Sequence, residues 1–218
     1  MNFTLSKTIF LGILANRTIL RTLLNYELLN LPTLNGRIID LGSTKKRSSY
    51  YDFLKIQASQ EVTSCDLSGA DINVDLEGHI PAKEKSFATV LCFNLLEHIY
   101  NYGNLISEAR RILVDGGVMI GFVPFLLRVH GSPYDHFRYS QSALQKMFSD
   151  ARFREVRVMY IGRGPLIAAY SQAEILFPRI VKIPTVCIAI VGDYVLVKIR
   201  PRVFKGNYPL GYLFVCKK

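Results

Sequence analysis

Arg37-Ile-Ile-Asp-Leu-Gly42 and Phe87-Ala-Thr-Val-Leu-Cys-Phe-Asn94 are the two stretches on which the fold turns. Each is a short apolar run without polar alternation, the pattern of a strand buried on both faces, and each stops at a glycine or a polar residue. Between them, Glu61-Val-Thr-Ser-Cys-Asp66 and Asp71-Ile-Asn-Val-Asp75 read as two more strands, both closed by an acid. Working outward, the spacing predicts helices over 48–56, 102–113 and 141–150. The second turns Leu105, Ala109 and Ile112 inward, and the third is capped by Ser140. Asp115-Gly116-Gly117 turns the chain into a fifth strand over 118–123, and 153–160 and 208–216 supply the last two. Upstream, Asn35-Gly36 makes a turn behind a leading amphipathic helix carrying Ile9, Ile13, Leu20, Leu23 and Leu24, which outweighs a faint likeness of the N-terminus to a signal peptide. Strands alternating with helices make an α/β fold with a largely parallel sheet. In such sheets ligands bind beyond the carboxyl ends of the strands, where strand order reverses, so Asp40, Gly42, Asp66, Asp75 and Asn94 are the first residues to consider.

Half of the 218 residues are apolar and a fifth are charged, a balance that supports a substantial core and excludes a disordered or collagen-like chain. The expected organisation is a helical segment over 1–34 and a domain over 35–218 interrupted by a helical, basic and apolar insertion at about 164–203. Charge is unevenly placed. From Ala151 to Lys218, twelve Lys and Arg face only Glu155, Glu174 and Asp193, which accounts for most of the net charge of +10. A basic excess at one end points to an anionic partner. Within the insertion, Ile183 to Val191 is apolar, but Lys182 and Asp193 bracket only ten residues, too few to span a bilayer. With Arg179, Lys182, Lys198, Arg200 and Arg202 around it, the segment suits an anionic membrane interface; a helical cover over a cleft or a homodimer interface is the other reading. Cys65, Cys92, Cys187 and Cys216 form no C-x-x-C pair and read as buried free thiols of a reducing, cytoplasmic compartment, with no metal site expected. No nucleic-acid recognition module is visible.

The ordered set Ile39-Asp-Leu-Gly42, Asp66, Asp75-Leu-Glu77, Ser86 to His98, Ala109-Arg-Arg-Ile-Leu-Val-Asp-Gly-Gly117 and Pro133-Tyr-Asp-His-Phe-Arg-Tyr139 resembles the class I S-adenosylmethionine-dependent methyltransferases, in a type 11-like branch associated with cell-surface polysaccharide genes. The resemblance implies a Rossmann-like sheet, mostly parallel with an antiparallel last strand and helices on both faces. It implies S-adenosyl-L-methionine as cofactor and a glycan, lipid-linked saccharide or small metabolite as methyl acceptor. By the same resemblance Asp66 binds the ribose, Asp75 and the Leu76 backbone the adenine, and Asn94, Asp40 and Gly42 the methionine portion. Where the family carries D-L-G-x-G-x-G, this chain has Thr44 and Lys46 in place of glycines, followed by Arg47. That departure motivates an alternative, a non-catalytic methyltransferase-like scaffold. A nicotinamide-dependent reductase explains the start of the domain but not Asn94 to His98, and the chain lacks a Tyr-x-x-x-Lys pair. Deprotonating a hydroxyl acceptor needs a base, and His130, Asp135, His136, Arg138 and Tyr139 follow the fifth strand as candidates. His98, at the start of a helix, reads as structural.

Overall fold

The computed structural model describes residues 3–46, 48–57, 60–131 and 133–218, so Arg47 of the altered loop and the first residues of the signal-like start lie outside the described residues. Its strands, β1 (Ile38–Leu41), β2 (Val62–Asp66), β3 (Ile72–Asn73), β4 (Phe87–Phe93), β5 (Leu113–Pro124), β6 (Glu155–Ile161) and β7 (Gly211–Lys217), form one seven-stranded sheet. The order is β3-β2-β1-β4-β5-β7-β6. β1 pairs in parallel with β2 on one side and β4 on the other, so the strand order reverses between β1 and β4. The backbone bonds Lys218 N–H to Gly117 O and Phe125 N–H to Leu210 O make β7 antiparallel to β5, as the resemblance implies.

The chain divides into two compact units. One contains most of the sheet, over 31–124, 129–159 and 212–218. Here β1 is buried at every residue, and Leu91, Cys92 and Leu213 are fully covered, as expected of central strands. Helix α3 (Tyr102–Ile112) buries Leu105, Ala109 and Ile112, and helix α4 (Gln141–Asp150) starts at Ser140, whose hydroxyl accepts the Ala143 N–H at 3.3 Å. The helix expected over 48–56 is absent; only a 3-10 turn at Tyr51–Phe53 forms. Its tyrosines are drawn instead into hydrogen bonds at the end of β1, a tertiary pull that exceeds the weak intrinsic preference of a short helix.

The second unit, over 1–30, 125–128 and 160–211, is helical. The single leading helix expected from the sequence is two: α1 (Phe3–Leu14) and α2 (Ile19–Leu28). Asn16 takes a left-handed conformation (φ 56°), and Thr18 caps α2 by accepting the Arg21 N–H at 3.2 Å. The insertion forms α5 (Pro165–Ala173), α6 (Arg179–Ile199) and the short α7 (Pro201–Phe204). Its apolar length was underestimated from the charges that bracket it. α6 runs 21 residues and contains an 18-residue stretch with a mean hydropathy of 2.0, long and apolar enough to cross a membrane by length and composition. The bracketing Asp193 does not end the run because it is buried, its two oxygens accepting the Leu166 and Ile167 N–H groups at 2.9 Å each. It caps the N-terminus of α5, where the orphan amides and the helix dipole favour an anion. Glu174 does the same for α2, accepting the Ile19 N–H at 3.0 Å. Cys65, Cys92 and Cys216 are buried as expected, but Cys187 is exposed because it falls on the outer face of α6.

Candidate active site

The carboxyl edge of the sheet gathers the residues singled out above. Asp40 sits within β1 and is fully buried. Both the Tyr50 and Tyr51 hydroxyls donate to its Oδ2, Tyr51 at 2.5 Å, while its Oδ1 has no partner among the described residues. Burial holds the Asp40 carboxyl above the usual carboxylate range, and the two phenols oppose that shift. The Tyr50 ring lies against Phe93 at the end of β4 with centroids 4.4 Å apart.

Gly42 turns the chain out of β1 with φ +77°. A Cβ there would meet Leu95 Cδ1 at 2.9 Å, so both backbone conformation and space require glycine. The altered loop that follows takes its own path. Thr44, Lys45 and Lys46 are exposed. Lys45 donates its N–H to Gly69 O at 2.9 Å and reaches Asp71 at 3.6 Å, tying the loop to the end of β2. Asp66 is half-buried at that strand end, its Oδ1 accepting the Leu67 N–H at 2.7 Å. Asp75 is exposed beyond β3 beside the buried Leu76. Asn94 leaves β4 in a left-handed conformation (φ 51°) that presents an exposed side chain at the sheet edge.

These residues fit an adenosyl sulfonium. Acids stand at the ends of adjacent strands, a glycine permits close backbone approach, and the orphaned Asp40 Oδ1 is an acceptor that an ammonium would satisfy.

Beyond β4 and β5 a second cluster forms. Asp135 is clamped by Arg138, whose Nη2 lies 2.7 Å from Oδ2, and also accepts the His130 N–H at 2.9 Å. The Arg138 hydrogen bonds hold the Asp135 carboxyl well below its ordinary value. Tyr139 is buried, its hydroxyl donating to Leu96 O at 3.1 Å, and burial raises its pKa. His136 is exposed, its ring edge-on to Tyr100 at 5.4 Å and tilted to Tyr134 at 5.6 Å. Sequence reasoning missed Glu97 and read His98 as structural. Both stand in the 3-10 turn Leu96–His98 directly after β4. The Glu97 carboxylate is fully buried, accepts no hydrogen bond from another of the described residues, and is pushed up to about 7 by burial. A signal was available: an acid and a histidine immediately beyond a strand end at the ligand edge.

A methyltransferase-domain family profile matches residues 47–121. An uncharacterized protein of Methanocaldococcus jannaschii is 48% identical over 42 residues, which are 19% of this chain and 18% of that protein. The matched stretch thus spans less than a fifth of the curated relative. Among solved structures, an S-adenosylmethionine-dependent methyltransferase from Archaeoglobus fulgidus superposes with a TM-score of 0.56 at 15% identity, over 91% of this chain and 94% of that one. Phosphoethanolamine N-methyltransferase 2 of Haemonchus contortus in complex with S-adenosyl-L-methionine gives 0.51 at 13% identity, over 89% of this chain and 51% of that one, so this chain spans about half of the worm enzyme. The fold is that of the class I methyltransferases, and the cofactor expected from the sequence, S-adenosyl-L-methionine, is the one used by the matched family.

Proposed function

Starting from a class I methyltransferase fold whose central segment matches the methyltransferase family, we propose that this chain transfers the methyl group of S-adenosyl-L-methionine to a glycan, a lipid-linked saccharide or a related small metabolite. The observation that supports it most is the position of Gly42, Asp66 and Asn94 directly at the carboxyl ends of β1, β2 and β4, on either side of the strand-order reversal, with Asp75 beyond the neighbouring β3. S-adenosylmethionine supplies an already activated methyl group, so the protein's task is alignment. Asp66 accepts hydrogen bonds from the ribose hydroxyls. Asp75 and the Leu76 backbone hold the adenine. Asn94 and the unpaired oxygen of Asp40 face the methionine ammonium, with Tyr50 and Tyr51 fixing the Asp40 carboxylate. Substituting Asp66→Ala weakens binding of the cofactor or its demethylated product tenfold or more, about 1.4 kcal/mol for one charge-assisted hydrogen bond. Isothermal titration measures it, and equal affinity in the variant removes the ribose assignment. A folded native chain that binds neither ligand is instead a methyltransferase-like scaffold.

The exposed Tyr100 and Tyr134 flank His136 and offer aromatic faces to the C–H surface of a sugar. His136 takes the proton from an acceptor hydroxyl. Asp135, Arg138 and Tyr139 serve by position: the ion pair and the Tyr139–Leu96 bond fix the loop that carries both His130 and His136.

A lipid-linked acceptor agrees with the surface of the helical unit. α6 buries Val186, Ala189, Ile190 and Asp193 on one side. On the other it exposes Ile180, Ile188, Val191, Val195 and Ile199, which fall on one helical stripe. α1, packed against α6, adds the exposed Phe10, Leu11 and Leu14. Exposed Arg179 stands at one end of the stripe and Lys198, Arg200 and Arg202 at the other, while two of the unit's three acids, Glu174 and Asp193, are buried on backbone amides. An apolar stripe with cationic ends is complementary to an anionic lipid surface. Because Asp193 anchors the inner side of α6 to α5, the helix lies in the interface rather than crossing it, which makes the chain a peripheral protein of the cytoplasmic membrane face. Full-length protein therefore floats with vesicles containing phosphatidylglycerol and not with pure phosphatidylcholine, and Ile188→Asp reduces the bound fraction at least tenfold. Failure of the native chain to float with anionic vesicles, or a lipid-free dimer that Ile188→Asp splits, overturns this docking.

A further inference from the structure

We propose that Glu97, His98 and His130 bind a divalent transition-metal ion at the carboxyl edge of the sheet. Each offers one ligand atom, and the three atoms lie within 4.8 Å of one another. Ligands about 2.1 Å from a shared ion stand no more than about 4.2 Å apart, so side-chain rotation over roughly half an ångström closes the set.

Three further features point to a cation rather than to a chance cluster. The Glu97 carboxylate is fully buried and takes no hydrogen bond from another residue among those described, a state that a buried carboxylate sustains only with a proton or a positive charge against it. Arg138 attracts it from a distance without hydrogen-bonding to it, and that guanidinium donates to Asp135 and to the Phe137 carbonyl among others.

The two imidazoles, secondly, are held as metal-ligating histidines are. His98 Nδ1 lies 2.5 Å from the Tyr134 carbonyl oxygen. A carbonyl only accepts, so Nδ1 carries the hydrogen, and in the neutral ring Nε2 carries the lone pair. That Nε2 is 3.8 Å from Glu97 Oε1. His130 Nδ1 lies 3.4 Å from Asp135 Oδ2, in a carboxylate that Arg138 fixes in place. A carbonyl or carboxylate on the distant ring nitrogen is the arrangement that orients a ligating histidine and raises its basicity.

Thirdly, two of the ligands share one rigid turn. Glu97 and His98 are adjacent in the 3-10 turn after β4, and the carbonyl of Glu97 accepts the His136 N–H at 2.8 Å, which pins the loop bearing His130 to that turn.

Two nitrogens and one oxygen suit zinc and its first-row neighbours, whereas magnesium and calcium favour all-oxygen sites. Three protein ligands leave at least one position open, the arrangement of catalytic rather than structural zinc. An acceptor hydroxyl bound there loses its proton at lower pH, and the proton passes to exposed His136 and then to water. This use of the ion rests on the methyl-transfer reading; the ion's binding does not.

Chelator-stripped full-length protein titrated calorimetrically with Zn²⁺ is expected to bind one ion per chain, with no comparable heat from Mg²⁺. Glu97→Gln, which preserves side-chain shape, and His98→Ala each weaken Zn²⁺ binding at least tenfold. His130→Ala, on a half-exposed loop position, provides the same comparison should a change in the buried turn prevent folding, as judged by circular dichroism. Absence of Zn²⁺ binding by the folded native chain overturns the proposal, as does equal affinity in the folded variants. Titrating S-adenosylhomocysteine into the same samples separates the two readings. Zn²⁺ binding without nucleoside binding leaves the ion site and removes methyl transfer, and the converse removes only the ion.

Discussion

Gly121→Ala is expected to abolish the native sheet, with a loss of at least about 3 kcal/mol in urea denaturation or no soluble protein at all. Gly121 lies in β5 opposite Cys92 of β4. A Cβ built there falls 2.0 Å from the Cys92 carbonyl oxygen and 2.3 Å from the Phe214 ring of β7. The first obstacle is backbone in a central parallel pair and cannot rotate away. The second is a fully buried aromatic that also packs on Phe148 with centroids 4.7 Å apart. Interiors at crystal-like density have no room for either adjustment. A soluble variant with an unchanged urea midpoint would contradict this account of β5.

The next largest loss is expected from Asp193→Ala, about 2–4 kcal/mol, because it leaves the Leu166 and Ile167 amides without their acceptor at a buried helix start. Gly164 belongs to the same arrangement: a Cβ there would come within 2.6 Å of the Asp193 carboxyl, so the close approach of the two helices depends on a missing side chain. Asp193→Asn keeps one acceptor and should fall between native and alanine. Thermal melts of the three proteins test the order, and an alanine variant melting with the native protein would show that the cap carries no net stability.

Much of the sheet was legible because its central strands are buried on both faces and need no partner to be recognised. Ile38 to Leu41 and Phe87 to Phe93 declare themselves as unbroken apolar runs, and Ser140 marks the start of α4 by a local rule. Local rules failed where distant groups decide the outcome. The stretch 48–56 has helical spacing, but Asp40 captures the phenols of Tyr50 and Tyr51 and leaves a single turn. Lys182 and Asp193 looked like the limits of an apolar segment, whereas Asp193 is buried with its oxygens satisfied by amides some 27 residues away in sequence. The candidate site divides in the same way. Strand-end acids can be placed from the order of the motifs. The convergence of Glu97 and His98 with His130 cannot, since it depends on how the loop after β5 folds back onto the turn after β4.

The distribution of thiols offers a practical handle. Cys187 alone among the four cysteines is exposed, and it stands midway along α6 at the border of the outer stripe, beside Ile188 and one turn before Val191. Mild treatment with a polarity-sensitive maleimide dye would therefore label the native chain at one point. Its emission colour would then report, in real time and without any substitution, whether that stripe meets hydrocarbon or water.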